Sequence, residues 1–257
     1  MEQRIQSQFT LRAPTFERSA SWIADPGLLQ TYVDSCQMPP DSVLLDVCCG
    51  TGIVGGAFRD RVRMLVGLDL TEAMLEQAVQ KLDRCYQGSV YEMPFPDDTF
   101  DVVISREAWH LLEHPGQAVQ EMFRVARPGA QILYGHIVPY GPVDKPWMEQ
   151  IFRAKQPLAT RFYTEEDLRD MMEAAGFRNL TARDYPLWEL IDLWIDTHET
   201  PPVARHTIRN LYSTVAPEVT AVHPAEVREN GEIWDCWRWV VLSGFKPAWQ
   251  EIQVHEL

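Results

Sequence analysis

Residues 43–56 read VLLDVCCGTGIVGG, and this stretch decides how the rest of the chain is interpreted. It opens with a short apolar run of β-favouring side chains, breaks at Gly50 and Gly52, and continues as a helix-capable segment from Ile53. The pattern predicts a strand, a tight loop and a helix. Because glycine has no Cβ and tolerates positive φ, a ligand can lie directly against this loop at the carboxyl end of the strand. We therefore expect a nucleoside-binding loop.

Two classes of ligand use a loop of this kind, and its spacing alone does not separate them. Gly50, Gly52 and Gly55 satisfy the G-x-G-x-x-G pattern of dinucleotide sites, with an acidic residue, Asp69, further along the chain. A dinucleotide places its pyrophosphate on the helix N-terminus, where a nearby negative charge is unfavourable. Asp46 stands just ahead of the glycines, and a carboxylate there suits a cationic group such as the ammonium of an amino acid.

The segment LLDVCCGTG resembles the first motif of class I S-adenosylmethionine-dependent methyltransferases, which reads acidic-x-Gly-x-Gly-x-Gly. The chain departs from that motif where Cys48 replaces the first glycine. Cysteine is small, but we expect it to need ordinary backbone angles at this position. The resemblance implies that one cluster of residues contacts the cofactor: Asp46, Cys48, Gly50, Thr51 and Gly52.

A second strand is predicted over residues 63–70, and Thr71 is predicted to cap the helix that follows. A carboxylate at the end of this strand can accept both hydrogens of a ribose diol, and the resemblance gives that role to Asp69. Leu70 and Met74 would then pack near the adenosine. The alternative is an acid that only favours the start of a helix.

Residues 88–104, GSVYEMPFPDDTFDVVI, resemble the second and fourth motifs of the same family and disfavour a dinucleotide site. Family members commonly carry an aspartate after the glycine to bind the adenine amine, whereas this chain has Ser89. Its hydroxyl can accept one hydrogen bond, and Val90 can offer its backbone amide to the ring. The resemblance also places Ser105 at the cofactor.

The segment SREAWHLL, which follows that strand, occupies the place where this family faces cofactor and substrate. Arg106 and His110 are therefore candidate catalytic residues, together with His136 at the end of a later predicted strand. An amine or thiolate acceptor needs no base, whereas a phenol or activated carbon would use a histidine. Trp109 and Tyr140 are candidate substrate contacts. Each candidate has a structural alternative, such as an ion pair across a loop or a core side chain.

Residues 186–231 do not belong to the minimal fold and are interpreted as an inserted cap. Five apolar residues fall at spacings that make a broad helical face: Trp188, Leu190, Ile191, Trp194 and Ile195. We predict that Trp188 and Trp194 line the acceptor site. Packing against the sheet is an equal alternative.

Composition restricts the partners. The formal net charge of -14 repels nucleic acid and anionic lipid. The five cysteines are odd in number and lack the paired spacing of a zinc site, so no metal is expected. The adjacent Cys48 and Cys49 are interpreted as small loop residues rather than a redox pair. With no apolar N-terminal export segment, we expect a cytoplasmic protein without membrane insertion, and a homodimer stays open.

These patterns predict a single α/β domain with the Rossmann-like class I methyltransferase fold: a seven-stranded, mainly parallel sheet with an antiparallel last strand. Residues 41–185 and 232–247 form the sheet core, and residues 1–40 form covering helices. The resemblance is closest to ubiquinone-biosynthesis and related small-molecule methyltransferases. It implies S-adenosyl-L-methionine as cofactor, S-adenosyl-L-homocysteine as product, and in-line attack by a small-molecule methyl acceptor.

Three other functions stay open. A nicotinamide oxidoreductase is disfavoured by Asp46 and by residues 88–104. An S-adenosylmethionine-binding fold can instead catalyse a pericyclic or decarboxylative step. A binding protein without activity would have an eroded cofactor loop, and the departures at Cys48 and Ser89 are the hints of one.

Overall fold

A twisted sheet forms the centre of the protein in the computed structural model, which describes residues 1–197 and 200–248. Its strands are β1 (Val43–Val47), β2 (Met64–Asp69), β3 (Arg84–Gln87), β4 (Phe100–Arg106), β5 (Ala126–Val138), β6 (Arg178–Leu190), β7 (Ala225–Val227) and β8 (Ile233–Phe245). Seven strands follow the order β3-β2-β1-β4-β5-β8-β6, and β7 pairs with β8. Neighbours from β3 to β5 pair in parallel, whereas β8 is antiparallel to both β5 and β6. The predicted fold is confirmed.

Helices cover both faces of the sheet. They are α1 (Glu2–Arg12), α2 (Pro26–Ser35), α3 (Ile53–Gly56), α4 (Glu72–Ala78), α5 (Pro115–Val125), α6 (Lys145–Lys155), α7 (Glu165–Ala175), α8 (Ile191–Ile195), α9 (Pro202–Ser213) and α10 (Pro217–Thr220). Side chains alternate along each strand, so Leu44 packs into one apolar layer and Leu45 into the other. Within residues 1–197 and 200–248, no helix combines the length and apolar composition needed to span a bilayer.

Several helix ends follow from local chemistry that the sequence displays. Asp25 accepts the backbone N–H of Leu28 at 2.7 Å and caps α2. Thr164 and Asp167 form a reciprocal capping box at the start of α7, and Gly176 ends that helix at a φ of 110°. Each of these boundaries is set by residues within a few positions of the helix end.

The N-terminal segment is fastened to the sheet by a buried carboxylate. Glu189 on β6 accepts hydrogen bonds from the backbone N–H groups of Ser21 and Trp22 and from the Ser21 hydroxyl. These bonds fix the short 3-10 helix Ser21–Ala24 against β6. As predicted, the residues before β1 are largely helical, and α1 lies at the ligand edge of the sheet.

The predicted helical face over residues 188–195 is wrong. Strand β6 continues to Leu190 because β8 supplies a pairing partner for each residue from Thr181 onward, with Trp188 opposite Cys236. This ladder satisfies the backbone and overrides the helical spacing of the apolar side chains. Trp188 is consequently 42% exposed, and α8 spans Ile191–Ile195 alone. Two residues of the predicted cap, His198 and Glu199, lie outside the described residues.

A buried ionic triad joins the loop before α6 to β8. His223 contacts Asp144 through Nδ1 at 2.8 Å and Asp235 through Nε2 at 2.5 Å. Burial by itself would lower the pKa of His223, but the hydrogen bonds and charges of both carboxylates outweigh it and raise the pKa to about 9. Tyr212 also donates to Asp235, and the Trp147 ring packs edge-on against His223. A charged histidine therefore lies between two acids in the core and pairs with both.

His223→Gln should destabilise the fold by about 3–5 kcal/mol, because it leaves two buried carboxylates without a cation. A raised folded-state pKa means that the wild-type contribution is complete below pH 6.5 and is lost as pH rises through about 9. Urea unfolding at both pH values checks this. The wild-type free energy of unfolding should fall over that range, the variant's should fall less, and exposed His206→Gln should match wild type. Equal losses in wild type and H223Q would contradict the triad's role.

Candidate functional site

A cavity of about 140 Å³ opens where β1, β2 and β4 end, with α1 above it. The carboxyl ends of parallel strands are the usual ligand crevice of such sheets. Its walls are apolar except for a few acids and one arginine. The predicted cofactor residues that line it are Asp46, Cys48, Gly50, Thr51, Asp69, Leu70, Met74 and Val90.

The loop after β1 has a left-handed backbone at three positions. Cys48, Gly50 and Gly52 have φ values of 57°, 52° and 76°. The expectation that Cys48 keeps ordinary angles is therefore wrong, because the turn requires positive φ where the family motif has glycine. A Cβ at Gly52 would lie 3.1 Å from the Ala78 backbone, so this glycine supports the loop from behind and does not line the cavity.

Cys48→Gly should keep or raise the melting temperature and should keep or tighten binding of S-adenosylhomocysteine. Glycine reaches a φ of 57° without the Cβ clash that costs an L-residue roughly 1–2 kcal/mol there. Cys49→Gly is the matched control, since Cys49 is buried and its φ is not positive, and it should be destabilised. Thermal unfolding with and without the ligand measures both effects. A folded C48G protein that no longer binds the ligand would show a specific role for the thiol.

Two carboxylates stand at adjacent strand ends. Asp46 is buried and accepts the Gly55 N–H at 2.8 Å, and burial raises its pKa to about 7 against that hydrogen bond. Asp69 accepts the N–H groups of Gly50 and Thr71, each at 2.8 Å, while burial raises its pKa. A cationic ligand group beside Asp46 would favour its ionised form. Asp69 ties the loop after β1 to the end of β2.

Two other predicted cofactor residues lie away from the cavity. The Ser89 hydroxyl donates to Glu2 of α1 at 2.5 Å, so it fastens the covering helix instead of facing the ligand. Ser105 is fully buried within β4, and its Oγ has no hydrogen-bond partner among the described residues. Gln6 donates to the Leu70 carbonyl at 3.1 Å and further secures α1 over this end of the cavity.

Arg106 supplies a cation at the opposite end of the cavity. Its Nη2 donates to the Ile23 carbonyl at 2.9 Å, and its guanidinium lies 5.2 Å from the centre of the Trp22 ring. Nη1 is buried and has no partner among residues 1–197 and 200–248. Burial lowers the pKa of Arg106, opposed by the charges of Tyr32 and Asp46. A buried donor without a partner at a cavity wall is placed to bind an anionic ligand group.

Glu107, which follows Arg106, connects the two predicted histidines. Its Oε2 lies 2.7 Å from His136 Nδ1 and accepts the Ile137 N–H at 3.0 Å, while Oε1 lies 3.7 Å from His110 Nδ1. Burial opposes ionisation of Glu107, but His136 outweighs it and the pKa is lowered. Burial lowers the pKa of His110 to about 4 despite Glu107. The structure thus brings both histidines to one carboxylate.

A second chamber adjoins the cavity at the ends of β1, β2 and β4, which is called the cofactor cavity below because most of the predicted cofactor residues line it. The two share Phe9, Phe16, Trp22, Glu107 and Leu111 in their walls. The remaining walls come from α1, β5, α6, α8 and the turn after β4, and they include His110, Phe152, Lys155, Gln156 and Trp194. His136 does not line either space and lies in a smaller cavity behind the chamber.

Of the four predicted substrate contacts, only Trp194 lines the second chamber. Trp109 is 1% exposed and stacks on Tyr134 at 3.6 Å, because the short helical turn after β4 directs it into the core. Tyr140 donates to the Cys236 carbonyl at 2.9 Å, away from both spaces. Trp188 faces outward on β6.

Sequence reasoning missed the contributions of α6 to this chamber. Phe152 and Gln156 looked like ordinary positions of an amphipathic helix, and no motif distinguishes them. Glu107 follows Arg106 in the sequence, but its contact with His136 depends on the pairing of β4 with β5, which no local pattern displays.

Comparisons with known proteins agree with this geometry. The Methyltransf_11 family model, described as a methyltransferase domain, matches residues 45–134, which span β1 to β5 and contain the loop and both acids. Residues 45–134 thus match a methyltransferase domain, and the protein is an S-adenosylmethionine-dependent methyltransferase. S-adenosylmethionine is its cofactor. The glycine loop, the buried Asp46 and the part-buried Asp69 fit it, since they offer open backbone and carboxylates for a cationic group and a ribose diol.

The methyltransferase is similar to proteins from several bacteria. It is 28% identical over 216 residues to the uncharacterized methyltransferase YcgJ of Bacillus subtilis, covering 79% of this chain and 84% of that protein. It is 27% identical over 213 residues to demethylmenaquinone methyltransferase of Lactiplantibacillus plantarum, covering 68% and 88%. The crystal structure of YcgJ shares the fold, with a TM-score of 0.77 at 24% identity, covering 85% and 97%. The [4+2]-cyclase SpnF shares it with a TM-score of 0.68 at 18% identity, covering 96% and 97%.

Asp69→Ala in this methyltransferase should raise the dissociation constant of S-adenosylhomocysteine at least tenfold. It removes charge-assisted acceptors that contribute about 1.5–3 kcal/mol each. Asp69→Asn keeps one acceptor oxygen and should have an intermediate effect. Asp83→Ala is the control, because Asp83 accepts the Leu65 N–H at the other end of β2. An unchanged dissociation constant by calorimetry in D69A would restrict Asp69 to a structural role.

Proposed function

We propose that the protein transfers the methyl group of S-adenosylmethionine to a small, mostly apolar or aromatic acceptor bound in the second chamber. The observation that carries this proposal is the shared wall of the two spaces, where Trp22, Glu107 and Leu111 border both. Aromatic side chains from the N-terminal segment, α6 and α8 supply much of the chamber lining. Small-molecule sites combine such walls with a few polar groups.

The distribution of polar groups supports one orientation of the cofactor. Leu70, Met74 and Val90 offer apolar contacts that would suit adenine, and Asp69 would accept the ribose hydroxyls. Asp46 and Arg106 line the same cavity and would bind the ammonium and carboxylate of the amino-acid part; Arg106 also lies against Trp22, which borders the second chamber. When bound, S-adenosylmethionine supplies an electrophilic methyl group on its sulfonium.

The chain would contribute chiefly by positioning. Near-attack geometry requires about 3–3.5 Å between the reacting atoms in a dry site. The N-terminal segment and α8 exclude water from above, with Phe9, Phe16 and Trp194 at the chamber. Arg106, His110 and His136 are proposed to orient the reacting groups, His136 acting through Glu107. In this proposal, residues 186–231 belong to the same domain and close the chamber through α8.

The small size of the chamber and the net charge of -14 both favour a small molecule over nucleic acid. A nucleic-acid acceptor would need a cationic surface to offset the repulsion of its phosphates. We therefore propose a free metabolite-sized acceptor.

Incubation with S-adenosylmethionine carrying a labelled methyl group, and with a panel of small phenols, carboxylic acids, amines and thiols, tests this function. At least one compound should gain the label and the mass of one methylene unit, with S-adenosylhomocysteine as coproduct. If S-adenosylhomocysteine binds but no compound of the panel or of a small-metabolite extract is methylated, methyl transfer to a small molecule is contradicted.

Phe152→Leu should raise the KM of such an acceptor about tenfold or more while leaving the S-adenosylhomocysteine dissociation constant unchanged. Phe152 lines the second chamber but not the cofactor cavity, and loss of pocket contacts of this size typically costs about 1–3 kcal/mol. Trp188→Leu, on the exposed face of β6, is the matched aromatic-to-leucine control and should leave both constants unchanged. An unaltered KM in F152L would place the acceptor elsewhere.

A further inference from the structure

A small cavity lies directly behind the wall of the second chamber. Its volume is about 10 Å³, which suits a single water molecule or ion. Glu107, His110, His136 and Gln156 all contribute to its lining. Glu107 and His110 also line the chamber itself, so this cavity and the chamber share a polar wall.

Three buried polar atoms of these lining residues lack a hydrogen-bond partner in the part of the chain that the structure describes. They are His110 Nδ1, His136 Nε2 and Gln156 Oε1. His136 is only 1% exposed, so bulk water does not satisfy its ring. Native proteins rarely leave buried polar atoms unpaired, and such a group calls for an ordered water or an ion.

The Glu107 carboxylate faces one nitrogen of each histidine ring. Its Oε2 lies 2.7 Å from His136 Nδ1 and its Oε1 lies 3.7 Å from His110 Nδ1. An ion held by these two nitrogens would therefore also contact the carboxylate.

The spacing also fits a metal ion. One ring nitrogen of each histidine and one oxygen of Glu107 lie within 4.8 Å of one another. His110 Nδ1 and Glu107 Oε1 are 3.7 Å apart, too far for a hydrogen bond but close to the separation of two ligands held at about 2.0–2.2 Å from one ion.

The charge of the cluster is suitable for a dication. Two imidazoles and one carboxylate form the ligand set that binds zinc and other first-row transition metals. The two arginines that also line the cavity have their own partners: Arg153 pairs with Glu149 at 2.8 Å and Arg161 with Asp167 at 2.5 Å.

We propose that Glu107, His110 and His136 bind one divalent first-row transition-metal ion at the wall of the second chamber. Gln156 lies beside the site, and Glu107, His110 and Gln156 also line the chamber. If the proposed methyl transfer holds, an acceptor bearing an oxygen donor would reach the ion from that side. Sequence spacing gave no sign of this site, because His136 is brought to Glu107 by the pairing of β5 with β4.

Cobalt and zinc binding to the full chain tests the site without S-adenosylmethionine, so its outcome is independent of methyl transfer. Protein treated with a chelator and then freed of it should bind one equivalent of Zn²⁺ by calorimetry. Co²⁺ should give visible ligand-field bands without the intense sulfur-to-cobalt charge transfer that a cysteine site would produce. Absence of stoichiometric binding, or a thiolate spectrum, would overturn the assignment.

Three variants separate a metal site from a structural hydrogen-bond cluster. Glu107→Gln, His110→Asn and His136→Asn should each weaken Co²⁺ binding at least about tenfold. His110 is less deeply buried than His136, so H110N keeps the test valid if H136N fails to fold. Exposed His114→Asn is the matched control and should bind as wild type does. Unchanged Co²⁺ affinity in folded H110N and E107Q would refute the proposal.

Discussion

The position of β1 is the constraint on which the rest of the structure depends. All five of its residues are buried, and it pairs in parallel with β2 on one side and β4 on the other. Parallel pairing brings the carboxyl ends of all three strands to the same edge of the sheet. The loops that follow those strands must therefore surround one crevice, whatever their own sequences prefer. The cofactor cavity is the direct consequence.

Side chains of both charges, Asp46 and Asp69 on one hand and Arg106 on the other, line that crevice. Asp46 and Asp69 are held by backbone N–H groups, which offset part of the cost of burying a carboxylate. Arg106 is part-buried, with one donor bonded to a carbonyl and a second, buried donor that has no partner among the described residues. An amino-acid zwitterion presents an ammonium and a carboxylate, so the arrangement is complementary to the methionine part of the cofactor. Burying an unpaired charge costs free energy of folding, so these charged groups are better suited to binding a ligand than to stabilising the fold.

The region after β4 links the cofactor cavity to the second chamber. Glu107 adopts a φ of 50°, a left-handed conformation that is uncommon for a non-glycine residue, and it is held there by the Ile137 N–H and His136. Strain of this kind persists where the surrounding structure over-determines it, and it is frequent at functional sites. The same residue borders both spaces, so any change in its position alters the two walls together.

The sequence by itself determined the features that depend on neighbouring residues. The strand and glycine loop at residues 43–56, the acid at the end of β2 and the capping box at Thr164 follow from local patterns, because propensity, turn chemistry and capping act over a few residues. The order of these motifs also determined the sheet topology through the family resemblance.

Only the tertiary structure decided which side chains meet. Cys48 takes a positive φ because the loop must close against β2, and Trp109 turns into the core because Tyr134 offers a stacking surface there. Strand β6 extends through Trp188 because β8 lies beside it. His136 reaches Glu107 across two paired strands. Each outcome depends on contacts between distant segments, and periodicity within one segment carries no information about the partner it will find.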